Sequence, residues 1–243
     1  LVDDEYTLEI IDGVSVLEGL DPGEYDVVVN YKGDDNFNPV SKSIKITVSE
    51  APVEPVESVL ISSDVKTTYG TGKNIVVQLK DINGNPLVGR TVTVKLNGKN
   101  YQGNIGSDGR ASIAIPATLA VKTYTATIRY AGETGILAKA SSIKVTVNKA
   151  TPKLTASKKT FKVKDKTKSY VVTLKTDKNK AYSNKKVTIT VGGKTYSATT
   201  KNGKATFKLT KLTKKGTFKA TVKFAGNSYY KAVTKKNVVI IVK

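Results

Sequence analysis

The sequence predicts an all-β protein made of tandem β-sandwich domains. Apolar and polar residues alternate with period two over many short segments, as expected of strands that bury one face. Turn-forming dipeptides separate these segments, and one unit of about 90 residues recurs along the chain. Apolar residues do not recur at helical spacing over any stretch of about ten or more residues, so no helix is expected.

Two copies of the repeated unit are complete. TVTVKLNGKNY (Thr91–Tyr101) corresponds to KVTITVGGKTY (Lys186–Tyr196), and TYTATIRYAG (Thr123–Gly132) corresponds to TFKATVKFAG (Thr217–Gly226). This correspondence runs to the end of the chain, where Ile143–Lys149 corresponds to Asn237–Lys243.

A third copy, at the start of the chain, is incomplete. GEYDVVVNYKGDDNF (Gly23–Phe37) corresponds to the block around Tyr124, and Tyr6 aligns with Tyr101, so about two and a half strands are missing in front. We expect its core residues, such as Val27 and Ile44, to need a cover. Another copy of the chain, by strand exchange with residues 1–49, or a cleaved remainder of the unit would supply it.

The alignment of the copies divides the chain into four segments. Residues 1–49 are the C-terminal half of a domain, 50–57 (EAPVEPVE) form a Pro/Glu linker, and 58–149 and 150–243 are complete domains. The second junction, NKATPK (Asn148–Lys153), is shorter and carries Pro152. Short junctions with proline favour a stiff rod over a flexible string.

The strands of the first complete domain follow from its alternating residues. The apolar sets expected to form its core are Ile75, Val77, Leu79, Val92, Val94, Leu96, Tyr124, Ala126, Ile128, Tyr130, Ile143, Val145 and Val147. Dipeptides that accept positive φ stand between the strands: Asn97-Gly98, Asp108-Gly109, Gly192-Gly193 and Asn202-Gly203. About seven strands in about 90 residues are typical of a Greek-key sandwich.

A tyrosine at the start of one strand indicates immunoglobulin-like topology. Tyr25 follows Leu20 and a tight turn, and Tyr124 follows Leu119 at the same spacing. The pattern resembles the tyrosine corner, in which the phenol bonds to backbone a few residues upstream. The alternative is a plain core aromatic, and the last copy has Phe218 there, which cannot form the bond.

The whole chain resembles a known class of repeats. GNPLVGRTVTVKLNGKNYQGNIGSDGRASIAI (Gly84–Ile115) followed by TYTATIRYAG is similar to the immunoglobulin-like repeats of prokaryotic cell-surface adhesin-like proteins. Those of methanogenic archaea are most similar, and the repeats of intimin and invasin stalks are more distant. The resemblance implies an exported protein at the cell surface or cell wall, whose repeats present something or act as spacers. It transfers no functional residues.

The composition excludes most site chemistry. The chain has no His, Cys, Met or Trp, so it has no usual zinc, iron–sulfur or haem site, no thiol nucleophile and no disulfide. We expect no enzyme activity and no cofactor. No apolar run approaches the roughly 20 residues that span a bilayer, so no membrane insertion is expected. Because Met is absent even at residue 1, we expect a segment of a longer protein.

Two loops have the residues of a possible calcium site. Asp81-Ile-Asn83-Gly-Asn85 resembles the opening of an EF-hand loop, but Pro86 and Val92 stand where glycine and glutamate are required, which favours a turn. Asp34-Asp35-Asn36 is the denser acidic cluster, but three adjacent side chains cannot all face one ion. We predict no metal site.

Two further sites depend on residues of the last copy. A self-formed bond between a lysine and Asn237 is the first, with Lys162, Lys164 or Lys166 as the geometric candidates, although no glutamate is present to assist proton transfer. A sugar-binding aromatic platform is the second. Tyr182, Tyr229 and Tyr230 are its candidates; Tyr230 aligns with Ile136 and is expected to be buried, which leaves Tyr229 exposed.

Charge forms a gradient along the chain. The net charge is −9 over residues 1–50, +6 over 51–150 and +23 over 151–243, where 25 Lys face two acids. The last copy therefore carries a strong positive potential, which suits either an anionic polymer or a self-repelling soluble stalk. Specific nucleic-acid binding is not expected, because no recognition motif accompanies the lysines and Arg occurs only at Arg90, Arg110 and Arg129.

Taken with the repeats, these features predict a structural and presentational stalk segment of an extracellular adhesin-like protein. Its partners would be the neighbouring immunoglobulin-like repeats. The alternative is an adhesive module whose basic C-terminal domain binds an anionic polymer, such as cell-wall polysaccharide or a host glycan.

Overall fold

The computed structural model describes residues 14–52 and 54–243, and all regular structure in these ranges is β-strand. The chain forms two compact units, Leu1–Glu54 and Pro55–Lys243. No helix that could span a membrane occurs in the described ranges. Tyr6, which the sequence aligns with Tyr101, lies outside the described residues.

The first unit contains one antiparallel hairpin, β1 (Gly23–Tyr31) and β2 (Val40–Val48). Tyr25 lies opposite Ile46 and Val27 opposite Ile44, so one face of the hairpin is apolar. Val29 is 52% exposed, whereas the corresponding Ile128 of the next copy is fully buried. Within residues 14–52, the hairpin therefore has the residues of a sandwich core and no second sheet that would bury them.

The second unit contains two β-sandwiches with separate cores. We call strands β3–β10 the middle sandwich and strands β11–β18 the last sandwich. The middle sandwich has a five-stranded sheet in the order β4-β10-β9-β6-β7 and a three-stranded sheet in the order β3-β5-β8. Its strands are β3 (Ser58–Ser62), β4 (Val65–Thr68), β5 (Lys73–Asp81), β6 (Thr91–Leu96), β7 (Lys99–Asn104), β8 (Arg110–Ile115), β9 (Thr123–Tyr130) and β10 (Lys139–Asn148).

The last sandwich repeats this arrangement. Its five-stranded sheet has the order β12-β18-β17-β14-β15 and its three-stranded sheet the order β11-β13-β16. Its strands are β11 (Lys153–Thr155), β12 (Lys159–Phe161), β13 (Ser169–Lys175), β14 (Lys186–Val191), β15 (Lys194–Thr199), β16 (Lys204–Lys208), β17 (Gly216–Phe224) and β18 (Val233–Val242). The chain is thus all-β, with tandem immunoglobulin-like sandwiches, as predicted.

The first strand of each sandwich is split between the two sheets, which the sequence did not indicate. β3 pairs antiparallel with β5, and then β4 crosses over and pairs parallel with β10. Asp64 lies at the crossing and its Oδ1 accepts a hydrogen bond of 2.7 Å from the backbone N–H of Lys144. In the last sandwich, β11 and β12 divide in the same way.

The alternating residues form the core as predicted. All of the apolar positions predicted for the first complete domain, from Ile75 to Val147, are buried, and none is more than 7% exposed. Each such Val or Ile side chain contributes about 1.5–3 kcal/mol when it leaves water. Cores of this kind hold the sheets together without disulfides or tryptophan.

Three of the four predicted dipeptides have positive φ at both residues, and at Asp108-Gly109 only the glycine has it. Asn97 and Gly98 have φ of 50° and 76°, and Asn202 and Gly203 have φ of 46° and 72°, as in two-residue hairpin loops. Glycine is required for a different reason at the end of the repeated YAG and FAG motifs, at Gly132 and Gly226. A Cβ on Gly132 or Gly226 would lie 2.7 Å from a backbone nitrogen of the following loop, so only glycine is accommodated there.

Candidate functional site

The tyrosine corner is present in two copies. The Tyr124 hydroxyl donates a 2.9 Å hydrogen bond to the carbonyl of Ala120, and the Tyr25 hydroxyl donates a 2.6 Å bond to that of Asp21. Burial raises the pKa of Tyr124. These bonds tie the loop before the strand to the strand itself, so the corner is structural.

The loop that resembles an EF-hand opening is a closed turn. Oδ1 of Asp81 accepts from the Asn85 backbone N–H at 2.8 Å, and Oδ2 accepts from the Asn85 side-chain amide at 2.9 Å. The hydrogen bond from that amide is the main reason why the pKa of Asp81 is lowered. The side chain of Asp81 therefore stabilises its own loop.

The Asp34-Asp35-Asn36 cluster is organised in a similar way. Oδ1 of Asp34 accepts from the backbone N–H groups of Asn36 and Phe37, and Oδ2 accepts from the Tyr31 hydroxyl. The bond from Tyr31 is the largest cause of a lowered pKa at Asp34. Within residues 14–52 and 54–243, no three acidic side chains come together in a way that would hold a metal ion.

The residues considered for a Lys–Asn bond are all exposed. Asn237 lies in β18 with φ of 57°, and Lys162, Lys164 and Lys166 lie in solvent before β13. The buried lysine of this region is instead Lys168, which is 3% exposed. Its Nζ donates to the carbonyls of Asp165 at 2.8 Å and Val163 at 3.3 Å, so it fastens the loop before β13. Nothing in the lysine-rich sequence distinguished this residue from its neighbours.

The aromatic candidates lie together, but not as a free platform. Tyr230 is buried, as predicted. Tyr229 remains 40% exposed, but its ring stacks on Tyr69 of the middle sandwich, with centroids 4.4 Å apart and planes at 26°. Tyr182 packs on Tyr230 at 4.6 Å. Tyr229 is thus exposed, as predicted, but it is not a free aromatic platform, because Tyr69 covers one face of its ring.

These four tyrosines, Tyr69, Tyr182, Tyr229 and Tyr230, form what we call the tyrosine joint between the two sandwiches. Tyr69 also packs against the edge of Tyr230, with ring centroids 6.0 Å apart and ring planes at 79°. Stacked and edge-on pairs at these separations contribute about 0.5–1.5 kcal/mol beyond their buried area. The tyrosine joint could not be predicted from the sequence, because Tyr69 is far from the other three tyrosines along the chain.

Backbone hydrogen bonds hold the chain on both sides of the junction. The N–H of Tyr69 donates to the carbonyl of Asn148 at 2.9 Å, which fixes the end of the middle sandwich. Ala150, fully buried, donates to the carbonyl of Tyr229 at 3.0 Å and accepts from the N–H of Lys231 at 2.8 Å. Only Lys149 lies between these two attachments, so the junction has almost no free length.

The lysines of the last sandwich cover an outer sheet face. The exposed positions on the face of β11, β13 and β16 include Lys153, Lys175, Lys204 and Lys208. Lys153 lies directly opposite Lys175 on the neighbouring strand. Like charges at such positions are destabilising. No side-chain carboxylate of the described residues lies within 4.0 Å of the Nζ of a lysine of this sandwich.

Comparisons with known proteins found similar solved structures but no related sequence. No protein-family model matches the chain, and no curated protein sequence matches it. Similar solved structures include titin domains Z1Z2 in complex with telethonin, with 14% identity, a TM-score of 0.44, and coverage of 76% of this chain and 96% of that chain. Invasin, a bacterial integrin-binding protein, is similar with 18% identity and a TM-score of 0.41. The matched region covers 74% of this chain and 38% of the invasin chain.

A bacterial ice-binding adhesin is a further similar structure, with 13% identity, a TM-score of 0.37, and coverage of 86% of this chain and 71% of that chain. The class of the fold follows from the strand order of the chain itself, in which each sandwich has a five-stranded and a three-stranded sheet: tandem immunoglobulin-like β-sandwiches.

Proposed function

We propose that the chain is a stalk segment of an extracellular, adhesin-like surface protein, which spaces and presents other parts of that protein and has no enzyme activity. The observation that carries the proposal is the junction, where a single residue, Lys149, separates the hydrogen-bonded ends of two sandwiches. A spacer needs such a junction, because a long free linker would let neighbouring domains fold back on one another.

The strand arrangement supports a mechanical role. In the middle sandwich, β4 and β10 are parallel and pair over Val65–Thr68 and Val145–Asn148. A force applied at the two ends of the sandwich pulls these strands in opposite directions along their length. All bonds of the ladder are then loaded together in shear, which resists extension better than opening them one at a time.

Single-molecule force spectroscopy on the full chain, held at its two ends, tests this role. We expect two separate unfolding events, each releasing about 30 nm of chain, because about 90 residues extend by about 3.4 Å each. Extension without such events would contradict the proposal.

Kinship with the adhesin-like repeats of methanogenic archaea is the finer part of the proposal. It rests on sequence blocks such as Thr123–Gly132 alone. A surface location, in the cell wall or beyond it, is part of the same proposal.

The second candidate function is attachment to an anionic polymer through the last sandwich. Its support is the opposed pair Lys153 and Lys175, since a bound polyanion would relieve the repulsion between them. Retention of the full chain on immobilised heparin across a salt series tests it. We expect steeply salt-dependent retention that falls when Lys153, Lys175 and Lys204 are changed to Gln.

The matched control changes three exposed lysines of the middle sandwich, Lys95, Lys99 and Lys144, to Gln. Equal loss in both triple variants would show that only net charge matters, and absence of retention at low salt would leave the stalk as the sole function.

We also propose that a second copy covers the apolar face of the first unit by strand exchange. The exposed Val29, Tyr31 and Ile44 support this, because their counterparts in the middle sandwich are buried. Sedimentation velocity should show a concentration-dependent dimer that Val29→Lys abolishes. A monomer at all concentrations would contradict the proposal.

A further inference from the structure

Tyr69 is in contact with the cores of both sandwiches. It is partly buried and packs against the core of the middle sandwich and against that of the last sandwich, and no other described residue is in both sets. Its ring lies on Tyr229 and against the edge of Tyr230. We propose that Tyr69 couples the two sandwiches into one body, and that Tyr182, Tyr229 and Tyr230 form a binding site selective for an aromatic side chain at the end of the preceding domain.

The hydrogen bonds that hold the binding site do not involve Tyr69. Oδ1 of Asn227 accepts from the backbone N–H groups of Tyr229 and Tyr230, both at 2.9 Å. The side-chain amide of Asn227 donates to the Tyr182 hydroxyl at 2.5 Å. One asparagine thus holds the backbone of Tyr229 and Tyr230 and the hydroxyl of Tyr182, which lowers the cost of ordering this loop when Tyr69 packs on it.

A second contact supports the same placement. The Nζ of Lys178, in the loop after β13, donates to the carbonyl of Gly70, which follows Tyr69. Together with the Tyr69 N–H bond to Asn148, this contact fixes the backbone on which the Tyr69 side chain is carried.

The corresponding residues of the other copies show that the aromatic pairing is specific to this junction. The sequence correspondence of Ile143–Lys149 with Asn237–Lys243 is wrong by one residue, because the pairing of β17 with β18 is irregular between Ala220 and Val222: Val145 pairs with Tyr124, and Ile240 pairs with Phe218. Lys243 therefore lies where Asn148 does. The N–H of Val163 bonds to the carbonyl of Lys243 as that of Tyr69 bonds to the carbonyl of Asn148, so Val163 is the counterpart of Tyr69. Val163 is aliphatic and 37% exposed.

The binding site also differs between the copies. The backbone N–H of Leu87 donates to the carbonyl of Leu79, as the backbone N–H of Tyr182 donates to that of Leu174. Leu87 is therefore the counterpart of Tyr182. Ile136 is likewise the counterpart of Tyr230, because each accepts from the residue three positions before it. A tyrosine thus meets a tyrosine-lined site at this junction, whereas the middle sandwich presents an aliphatic one.

A double-mutant cycle on the full chain tests the coupling. The variants are Tyr69→Ala, Tyr229→Ala and both together, and the unfolding equilibrium is measured in urea. If the rings interact as proposed, the double variant loses less than the two single losses combined, by about two- to twelve-fold in the equilibrium constant. Tyr69→Phe keeps the stack and should behave as the wild type, and Val163→Ala is the control for a residue at the same position without a partner.

Backbone ¹⁵N relaxation gives a second readout that does not depend on stability. In the wild type, amides of β9 and β17 should report one common rotational diffusion tensor, whereas Tyr229→Ala should give each sandwich its own. The inference would be overturned if the two sandwiches tumbled independently in the wild type. It would also be overturned if the stability losses of Tyr69→Ala and Tyr229→Ala were additive and the sandwiches still tumbled together in both variants.

The proposed coupling depends on the proposed stalk function only for its biological role. Each of the two proposals is contradicted by a different experiment. Loss of coupling leaves the force resistance of each sandwich unchanged, whereas extension without unfolding events would remove the stalk and leave the coupling in place.

Discussion

The tyrosine corner gives a stability prediction that can be tested in both directions, because one sandwich has the tyrosine and the other lacks it. Tyr124→Phe removes one hydroxyl and its 2.9 Å bond to the Ala120 carbonyl. A typical intramolecular hydrogen bond contributes about 0.5–1.5 kcal/mol net. Ala120 is exposed, so water can replace the lost donor, and we expect a loss near 1 kcal/mol rather than more.

For a sandwich of this size, that loss lowers the melting temperature of the middle sandwich by about 4–8 °C. The reciprocal change, Phe218→Tyr, places a hydroxyl at the same position of the last sandwich, four residues after Lys214. We expect it to stabilise that sandwich by up to about 1 kcal/mol. Thermal unfolding followed by circular dichroism measures both changes.

Tyr101→Phe is the matched control, because the Tyr101 hydroxyl forms no hydrogen bond with another described residue; it should change stability by no more than about 0.5 kcal/mol. If Tyr124→Phe is as stable as the wild type and Phe218→Tyr brings no gain, the corner does not stabilise the fold and the reasoning is refuted.

Three further predictions concern charge and pH. Burial raises the pKa of Tyr124 and Tyr170, so both sandwiches should keep full stability below about pH 10, the unfolded value, and lose it at higher pH, as melting curves from pH 8 to 12 would show. The lowered pKa of Asp81 contributes stability above about pH 4 that is lost on acidification; Asp81→Asn should make melting of the middle sandwich less sensitive to acid, and an unchanged acid dependence would contradict this. Lys175→Gln removes the repulsion with Lys153 and should raise the stability of the last sandwich by a few tenths of a kcal/mol at low salt and less at high salt, whereas a loss at low salt would contradict it.

The repeated strands and turns could be predicted from the sequence because their causes are local. Alternation placed Val77 and Ile128 in the core, and Asn97-Gly98 has the positive φ that its hairpin requires. The split first strand could not be predicted in this way. The crossing from β3 to β4 depends on Asp64, whose side chain bonds to the backbone of Lys144, a contact between distant parts of the chain.

The same limit explains the aromatic residues. Alignment of the copies predicted correctly that Tyr230 is buried, because Ile136 at its position is an apolar residue. Alignment could not show that Tyr69 covers Tyr229, since an internal repeat carries no information on contacts between one repeat and the next. Lys168 is a similar case, because its burial depends on carbonyls that a turn brings to it.

The central claim, that two sandwiches are held in a fixed arrangement by a junction without free length, can be measured as a distance distribution. The chain has no cysteine, so Lys95→Cys in the middle sandwich and Lys219→Cys in the last sandwich can each carry a spin label without other changes. Pulsed electron–electron double resonance should give a single narrow distribution, as narrow as that of a control pair, Lys95→Cys and Lys144→Cys, within the middle sandwich. A distribution much broader than the control would contradict the claim.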